Sequence, residues 1–120
     1  MVAAVVRSNS IAVGWLYHVF NSAVIGVLFA LILGSRVGSY GRGAAYGLVW
    51  GVVWWVLGAL ILMPILLGMP AFAPLRMAPM RPVAFGSLAG HLLYGVILGL
   101  VYFRLQSPTR VVTDHPARVG

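Results

Sequence analysis

Cysteine, lysine and glutamate are absent from this chain of 120 residues, and Asp114 is its one acidic residue. The lack of cysteine excludes disulfides, thiolate metal sites and cysteine nucleophiles. With one acidic residue, neither a catalytic pair of carboxylates nor a carboxylate-oriented triad can be built. The glycine-rich segment 38–47 does not supply a phosphate-binding loop, because it lacks the lysine that such a loop uses. We therefore predict that the protein is not an enzyme.

Apolar residues are abundant instead. They make up 62% of the chain, and the mean hydropathy is +1.02, whereas a soluble domain is about half apolar. Three runs without a charged residue cover 11–33, 44–67 and 83–103. Each run exceeds the roughly 20 residues that an α-helix needs to cross a bilayer. The sequence therefore predicts an all-α fold, an integral membrane bundle of three transmembrane helices.

The segments between these runs complete a single transmembrane domain over residues 1–110. Residues 34–43 are glycine-rich and predict a tight polar turn. Pro64 should bend or fray the last turn of the second helix, because proline deletes a backbone hydrogen bond. Four prolines within 69–82 disfavour a regular helix, so we expect this segment to lie flat at the membrane interface. The polar residues 111–120 predict a disordered tail.

The eight basic residues are all arginines, and they flank the apolar runs rather than interrupt them. This placement indicates contact with the headgroups of membrane lipid. Without a folded basic face or a stacking platform, the net charge of +7 does not indicate nucleic-acid binding. Three arginines lie on the side of the N-terminus and five on the side of the C-terminus. The positive-inside rule therefore predicts a cytoplasmic C-terminus.

Small residues recur at every fourth position of the predicted helices. Such stripes allow helix backbones to approach closely, which is how helices pack in lipid. The stripe residues are Gly14, Ser22, Gly26, Ala30 and Gly34 in the first helix, Gly47 and Gly51 in the second, and Ser87, Gly95 and Gly99 in the third. Three short helices rarely bury such stripes alone. We therefore predict a homo-oligomer or an accessory subunit of a larger membrane complex.

Two histidines, His18 and His91, interrupt the stripes of the first and third helices. These helices should run parallel and bring both imidazoles to a depth of roughly 10 to 14 Å, beside Gly58 and Ala59 of the second helix. One interpretation is that each histidine makes an interhelical hydrogen bond and only stabilises packing. The other is that the pair binds a ligand or handles protons, because ionisable groups are costly inside a membrane.

No cofactor is predicted on the leading interpretation, and two alternatives remain. A b-type haem would take His18 and His91 as axial ligands, with glycines where the porphyrin meets the backbone. Copper(I) would suit the same imidazoles together with the thioethers around the proline-rich segment, Met63, Met69, Met77 and Met80. The functional hypotheses are therefore a self-associating or accessory subunit, a minimal proton or metal relay, and a bis-histidine haem redox subunit.

From Gly14 to Arg104 the order of features resembles the YagU-like bacterial inner-membrane proteins. The similar pieces are YHVFNSAVIGVLFALILG from Tyr17, GAAYGLVWG before the middle of the second helix, PILLGMP from Pro64, and FGSLAGHLLYG around His91. The resemblance implies a bacterial cytoplasmic-membrane protein of few spans, in a group that has a loose link to acid tolerance and no established reaction. Some members carry an acidic residue shortly before the second histidine, where this chain has Ser87. The resemblance therefore gives less support to a proton-relay function.

Overall fold

The structure is a computed structural model that describes residues 9–106, and these residues form no β-strand. Three stretches are long and apolar enough to cross a membrane, namely Ile11–Arg36, Tyr40–Leu66 and Ala78–Gln106. Their mean hydropathies are 2.0, 2.2 and 1.7. The predicted all-α bundle of three membrane-spanning helices is thereby confirmed. The predicted disordered tail lies outside the described residues.

The helices are α1 (Ile11–Leu33), α2 (Tyr40–Trp54), α3 (Met63–Leu66), α4 (Ala73–Arg76) and α5 (Arg81–Gln106). A π-helical segment, Trp55–Leu62, joins α2 to α3. Short 3₁₀ turns follow α1 and precede α5. The bounds of α1 are those of the first apolar run, whereas α2 and α5 both begin before the second and third runs, and α5 also ends later. The helices therefore extend into segments that were predicted as turn or loop.

Serine side chains start α1 and α2. The Oγ of Ser10 accepts a hydrogen bond from the backbone three residues on, at 3.5 Å, and the Oγ of Ser39 accepts one from the N–H of Arg42 at 3.1 Å. Such a cap satisfies one of the N–H groups that the first turn of a helix leaves unpaired. The Ser39 cap explains why α2 begins at Tyr40, inside the segment 34–43 that was predicted as a turn.

α2 and α5 form the closest helix pair of the bundle, and their glycines face one another. Gly47 faces Gly95, and Gly43 faces Gly99 so closely that an added Cβ on Gly43 would lie 2.6 Å from the carbonyl oxygen of Gly99. Gly51 faces a backbone carbonyl of the next turn of α5. All five glycines are buried. Backbone therefore packs directly on backbone along this antiparallel pair, as small-residue stripes permit in lipid.

α1 joins this pair through side chains. Phe29 is completely buried, and its ring lies edge-on to Trp50, with centroids 6.0 Å apart, and to Tyr102, with centroids 5.9 Å apart. The indole N–H of Trp50 donates to the carbonyl of Ile25 at 3.2 Å. Val37, just after the 3₁₀ turn, completes this cluster. An aromatic core therefore fastens the second half of α1 to α2 and α5.

Pro64 changes the helix that precedes it. Proline has no N–H to donate to the carbonyl of Leu60, and its ring would clash with that carbonyl in a regular α-helix. The chain widens into the π-helical segment, in which the N–H of Met63 donates to the carbonyl of Gly58. The carbonyl of Leu60 accepts the N–H of Phe72 instead, at 2.7 Å. The predicted disturbance at Pro64 is thus a wider helix rather than a frayed end.

The proline-rich segment 69–82 packs against the bundle for part of its length instead of lying flat. Ala73 and Pro74 are buried, and α4 forms one helical turn there. Phe72 takes the left-handed conformation, with φ of 62°. The Nε of Arg81 donates to a backbone carbonyl of α4 at 3.0 Å. The segment folds back on the helix because the carbonyl of Leu60, which Pro64 cannot pair, accepts the N–H of Phe72. An unpaired backbone carbonyl would be costly in lipid.

Candidate functional site

A cavity of about 460 Å³ lies between α1, the π-helical segment and α5, and it is partly open to the surroundings. Its volume falls in the range of about 300–1,000 Å³ that small-molecule sites occupy. Most of its lining is apolar, and much of this part comes from the π-helical segment, α3, the proline-rich segment and the start of α5. These apolar residues include Leu60, Leu62, Met63, Leu66, Pro74, Met80, Val83 and Ala84.

Polar side chains of α1 and α5 form the remaining side of the cavity, which we name the polar wall. Its members are Tyr17, His18, Asn21, Ser22, Ser87, His91 and Tyr94. Several of them stand four residues apart, which places them on one face of their helix. Among the described residues that line the cavity, none is an arginine or an aspartate. The polar wall therefore offers hydrogen bonds without a permanent charge.

Two hydrogen bonds hold the polar wall together. The hydroxyl of Tyr94 donates to the carbonyl of Ser22 at 2.5 Å, which links α5 to α1. The hydroxyl of Ser22 donates to the carbonyl of His18 at 2.8 Å. The hydroxyl of Tyr17 and the amide of Asn21 have no hydrogen-bond partner within residues 9–106. Part of the polar wall is therefore fixed by the fold, and part remains available to a ligand.

His91 is oriented by its own helix. Its Nδ1 lies 2.7 Å from the carbonyl oxygen of Ser87, and because a carbonyl only accepts, this nitrogen carries the proton. When the ring is neutral, its lone pair is on Nε2, and Nε2 makes no hydrogen bond to the part of the chain that the structure describes. The bond runs within α5, not between helices as the packing interpretation supposed. In this form, the Nε2 of His91 is therefore a free hydrogen-bond acceptor.

His18 lines the same cavity but is more exposed than His91. Its ring lies edge-on to Trp15, with centroids 6.1 Å apart and an interplanar angle of 87°. Its ring nitrogens make no hydrogen bond within the described chain. The structure thus brings both predicted histidines to one cavity, together with Gly58 and Ala59.

The predicted copper ligands are only partly assembled. Met63 and Met80 line the cavity with both histidines, whereas Met69 does not. Met77 is 49% exposed and does not line the cavity. Within residues 9–106, no three His, Cys, Asp or Glu side chains stand close enough together to hold a metal ion. The candidate metal ligands that line the cavity are therefore two imidazoles and two thioethers.

The stripe of α1 differs from those of α2 and α5. An added Cβ on Gly26 would lie 3.5 Å from both the side chain of Leu98 and the hydroxyl of Tyr94, which is ordinary contact. Gly34 lies under the ring of Tyr102, and an added Cβ there would be 2.8 Å from its Cζ. Gly14 and Ala30 are half-buried, and Ser22 and Ser87 belong to the polar wall. The α1 stripe therefore faces side chains, not a second glycine stripe.

Sequence reasoning missed the hydrogen bonds of the tryptophans. The indole N–H of Trp55 donates to the carbonyl of Ala84 at 3.1 Å and, like that of Trp50, ties two helices together. Trp54 lines the cavity, and its buried indole nitrogen has no partner among the described residues. A signal was available, because an indole N–H placed away from water normally finds an acceptor. The sequence could not say which carbonyl would accept it.

These features define a small, all-helical membrane protein with a cavity that is apolar on one side and hydrogen-bonding on the other. Comparison of the chain with protein-family models, with curated proteins and with solved structures finds no match. The chemistry of the cavity is therefore the basis on which a function is proposed.

Proposed function

We propose that this protein is a non-enzymatic binding subunit of the bacterial cytoplasmic membrane, which holds a small amphipathic molecule between α1 and α5. The observation that supports this is the two-sided lining of one cavity, with the polar wall opposite aliphatic side chains. Ligand sites typically combine a mostly apolar lining with a few placed polar groups. Ionisable residues within membrane spans are functional candidates by default, because their placement there is costly.

Quenching of tryptophan fluorescence by bromododecane tests whether the cavity takes an apolar guest. Trp50 and Trp54 both line the cavity, so a brominated chain inside it would quench them by contact. Gly90 also lines the cavity, and an added Cβ there meets nothing within 4 Å. We expect saturable quenching in the natural protein and a clear loss of it in Gly90→Leu, whose side chain would occupy the cavity.

Gly86→Leu is the matched control for this experiment. Gly86 lies one turn earlier on α5, is exposed, and has the same open space around its Cβ, but it does not line the cavity. We expect this variant to be quenched like the natural protein, and circular dichroism should show both variants folded. Equal quenching in all three proteins would mean that bromododecane meets the tryptophans only from the surrounding micelle, and the proposal would be abandoned.

Assembly with a second copy or a larger membrane complex belongs to the same proposal. The glycines of α2 and α5 are occupied within the chain, so the outer face of α1 is the better candidate for an interface. Its Trp15, Leu16 and Phe20 are 65%, 71% and 66% exposed. Light scattering in mild detergent is expected to give a mass above that of one chain, and Leu16→Ala with Phe20→Ala should lower it. A monomeric natural protein would remove self-association.

The bacterial origin and the orientation are also part of this proposal. The resemblance to YagU-like proteins supports the first. The positive-inside rule supports a cytoplasmic C-terminus, since Arg36, Arg42 and Arg104 all lie at one end of the bundle. Because the chain has no cysteine, a single cysteine at Gly41 or at Ala78 can be labelled in intact cells. Labelling at Ala78 and protection at Gly41 are expected, and the reverse pattern would invert the topology.

A proton or metal role for His18 and His91 is the second candidate. The observation that favours it is that both imidazoles line one cavity and that the Nε2 of His91 has no partner within the described chain. Haem would supply electron transfer, and copper would add Met63 and Met80 as ligands. An absorption spectrum and elemental analysis of the purified protein test whether haem or copper is bound. A Soret band or stoichiometric metal that disappears in His91→Ala would favour this candidate over simple ligand binding.

A further inference from the structure

The polar wall lies deeper along the helices than the apolar lining at the mouth of the proline-rich segment. At 1.5 Å per residue, His18 stands about 10 Å beyond Ile11, and His91 stands about 15 Å beyond Arg81. Met80, in the apolar lining, directly precedes α5. A hydrocarbon core is about 30 Å thick, so the hydrogen-bonding side of the cavity lies toward the middle of the bilayer. A guest that binds the polar wall must therefore carry its polar group into the hydrocarbon core.

The polar wall has no permanently charged group that would neutralise a charged guest at that depth. Its side chains are hydroxyls, one amide and two imidazoles, and no arginine or aspartate is among the described residues that line the cavity. An uncompensated charge at the centre of a membrane costs at least about 2.5–3.5 kcal/mol. Lipids with phosphate or ammonium heads are therefore disfavoured as guests in this orientation.

Several groups of the polar wall still require partners. The hydroxyl of Tyr17, the amide of Asn21 and the Nε2 of His91 make no hydrogen bond within residues 9–106. Together they present both donors and an acceptor. Unpaired polar groups are costly in lipid, so a guest with a matching uncharged polar group would be retained better than a plain hydrocarbon.

Given binding in this cavity as proposed above, we propose that the guest is an uncharged, membrane-dissolved molecule with a hydroxyl or carbonyl group. This class includes quinones, quinols and long-chain alcohols. The polar group of the guest lies against the polar wall, and its hydrocarbon part lies along Leu60, Leu66 and Met80 toward the proline-rich segment. Selectivity then depends on hydrogen bonding and on the exclusion of charge.

Competition against bromododecane tests this selectivity with three molecules that share one alkyl chain, namely dodecane, dodecanol and dodecyl phosphate. They are compared at equal mole fraction in the same mixed micelles, with recovery of tryptophan fluorescence as the readout. One or two new hydrogen bonds predict that dodecanol binds roughly tenfold more tightly than dodecane. Dodecyl phosphate should bind no better than dodecane. Displacement by dodecyl phosphate at least as strong as that by dodecanol would overturn the proposal.

Variants of the polar wall identify the source of the preference. His91→Phe and Asn21→Leu keep bulk but remove polar atoms, and each should reduce the dodecanol preference toward that of dodecane. Asn9→Leu makes the same chemical change outside the cavity, before α1, and should keep the preference. A preference retained in both wall variants would refute the assignment. If bromododecane quenching stays sensitive to Gly90→Leu while dodecanol shows no preference, this inference fails and the proposed function stands.

Discussion

α2 and α5 meet backbone to backbone through glycine, whereas α1 meets that pair through aromatic rings at one end and borders a cavity at the other. The first contact leaves no space for another molecule. The second leaves about 460 Å³. The difference shows how one chain uses two kinds of packing. Glycine stripes bring two helices into direct backbone contact, and bulky side chains hold a third helix far enough away to leave a cavity.

Substitution in the glycine interface should have the largest effect. An added Cβ on Gly47 would overlap the backbone carbonyl of Gly95, and backbone cannot move aside as a side chain can. We expect Gly47→Ala to destabilise the fold by about 3 kcal/mol or more, the upper range for overpacking. Unfolding by dodecyl sulfate, followed by circular dichroism, measures it. Gly86→Ala, which meets nothing within 4 Å, is the control, and equal stability of both would contradict backbone contact.

Loss of the aromatic core should have an intermediate effect on the α1 side. Phe29 is completely buried between Trp50 and Tyr102. We expect Phe29→Ala to cost about 2 kcal/mol, less than the 3–5 kcal/mol of water-soluble cores, because the unfolded segment stays in apolar surroundings. The same unfolding assay measures it. A cost as large as that of Gly47→Ala would show that α1 is held as tightly as the glycine pair.

Removal of one hydrogen bond between α1 and α2 should have a smaller effect. Trp50→Phe keeps the ring against Phe29 but loses the N–H donated to the carbonyl of Ile25. Interhelical hydrogen bonds in membranes contribute about 0.6 kcal/mol on average and up to about 1.7, so we expect a loss within that range. Trp15→Phe, at an exposed ring, supplies the baseline. A cost above about 3 kcal/mol would mean that this bond dominates the attachment of α1.

Substitution of Gly26 in the α1 stripe should have the smallest effect. This stripe resembles that of α2 in sequence, but it contacts side chains and not backbone. An added Cβ on Gly26 would lie at 3.5 Å from its nearest neighbours, and alanine favours helix over glycine. We expect Gly26→Ala to change stability by less than about 0.5 kcal/mol. Destabilisation comparable to that of Gly47→Ala would show that α1 also approaches through its backbone.

Much of this architecture was predictable because it follows from hydropathy and spacing. The first apolar run coincides with α1, and parallel first and third helices explain why His18 and His91 line one cavity. The pairing of the stripes was not predictable, because Gly26 and Gly47 lie in similar patterns and only contact distinguishes them. The packing of the proline-rich segment against the bundle was not predicted either. It depends on a hydrogen bond from Phe72 to the carbonyl of Leu60, which Pro64 leaves without its usual donor.

The sequence by itself determined that this chain is a membrane protein of three helices, since composition and the length of its apolar runs decide the solvent in which a chain is stable. It also determined which side chains can carry chemistry, because arginine, histidine, tyrosine and Asp114 supply the only ionisable side chains of the sequence. Only the tertiary structure decided which stripes are consumed in packing and that Tyr17, Asn21 and His91 border one cavity. That choice depends on contacts between helices distant in sequence, which local periodicity does not specify.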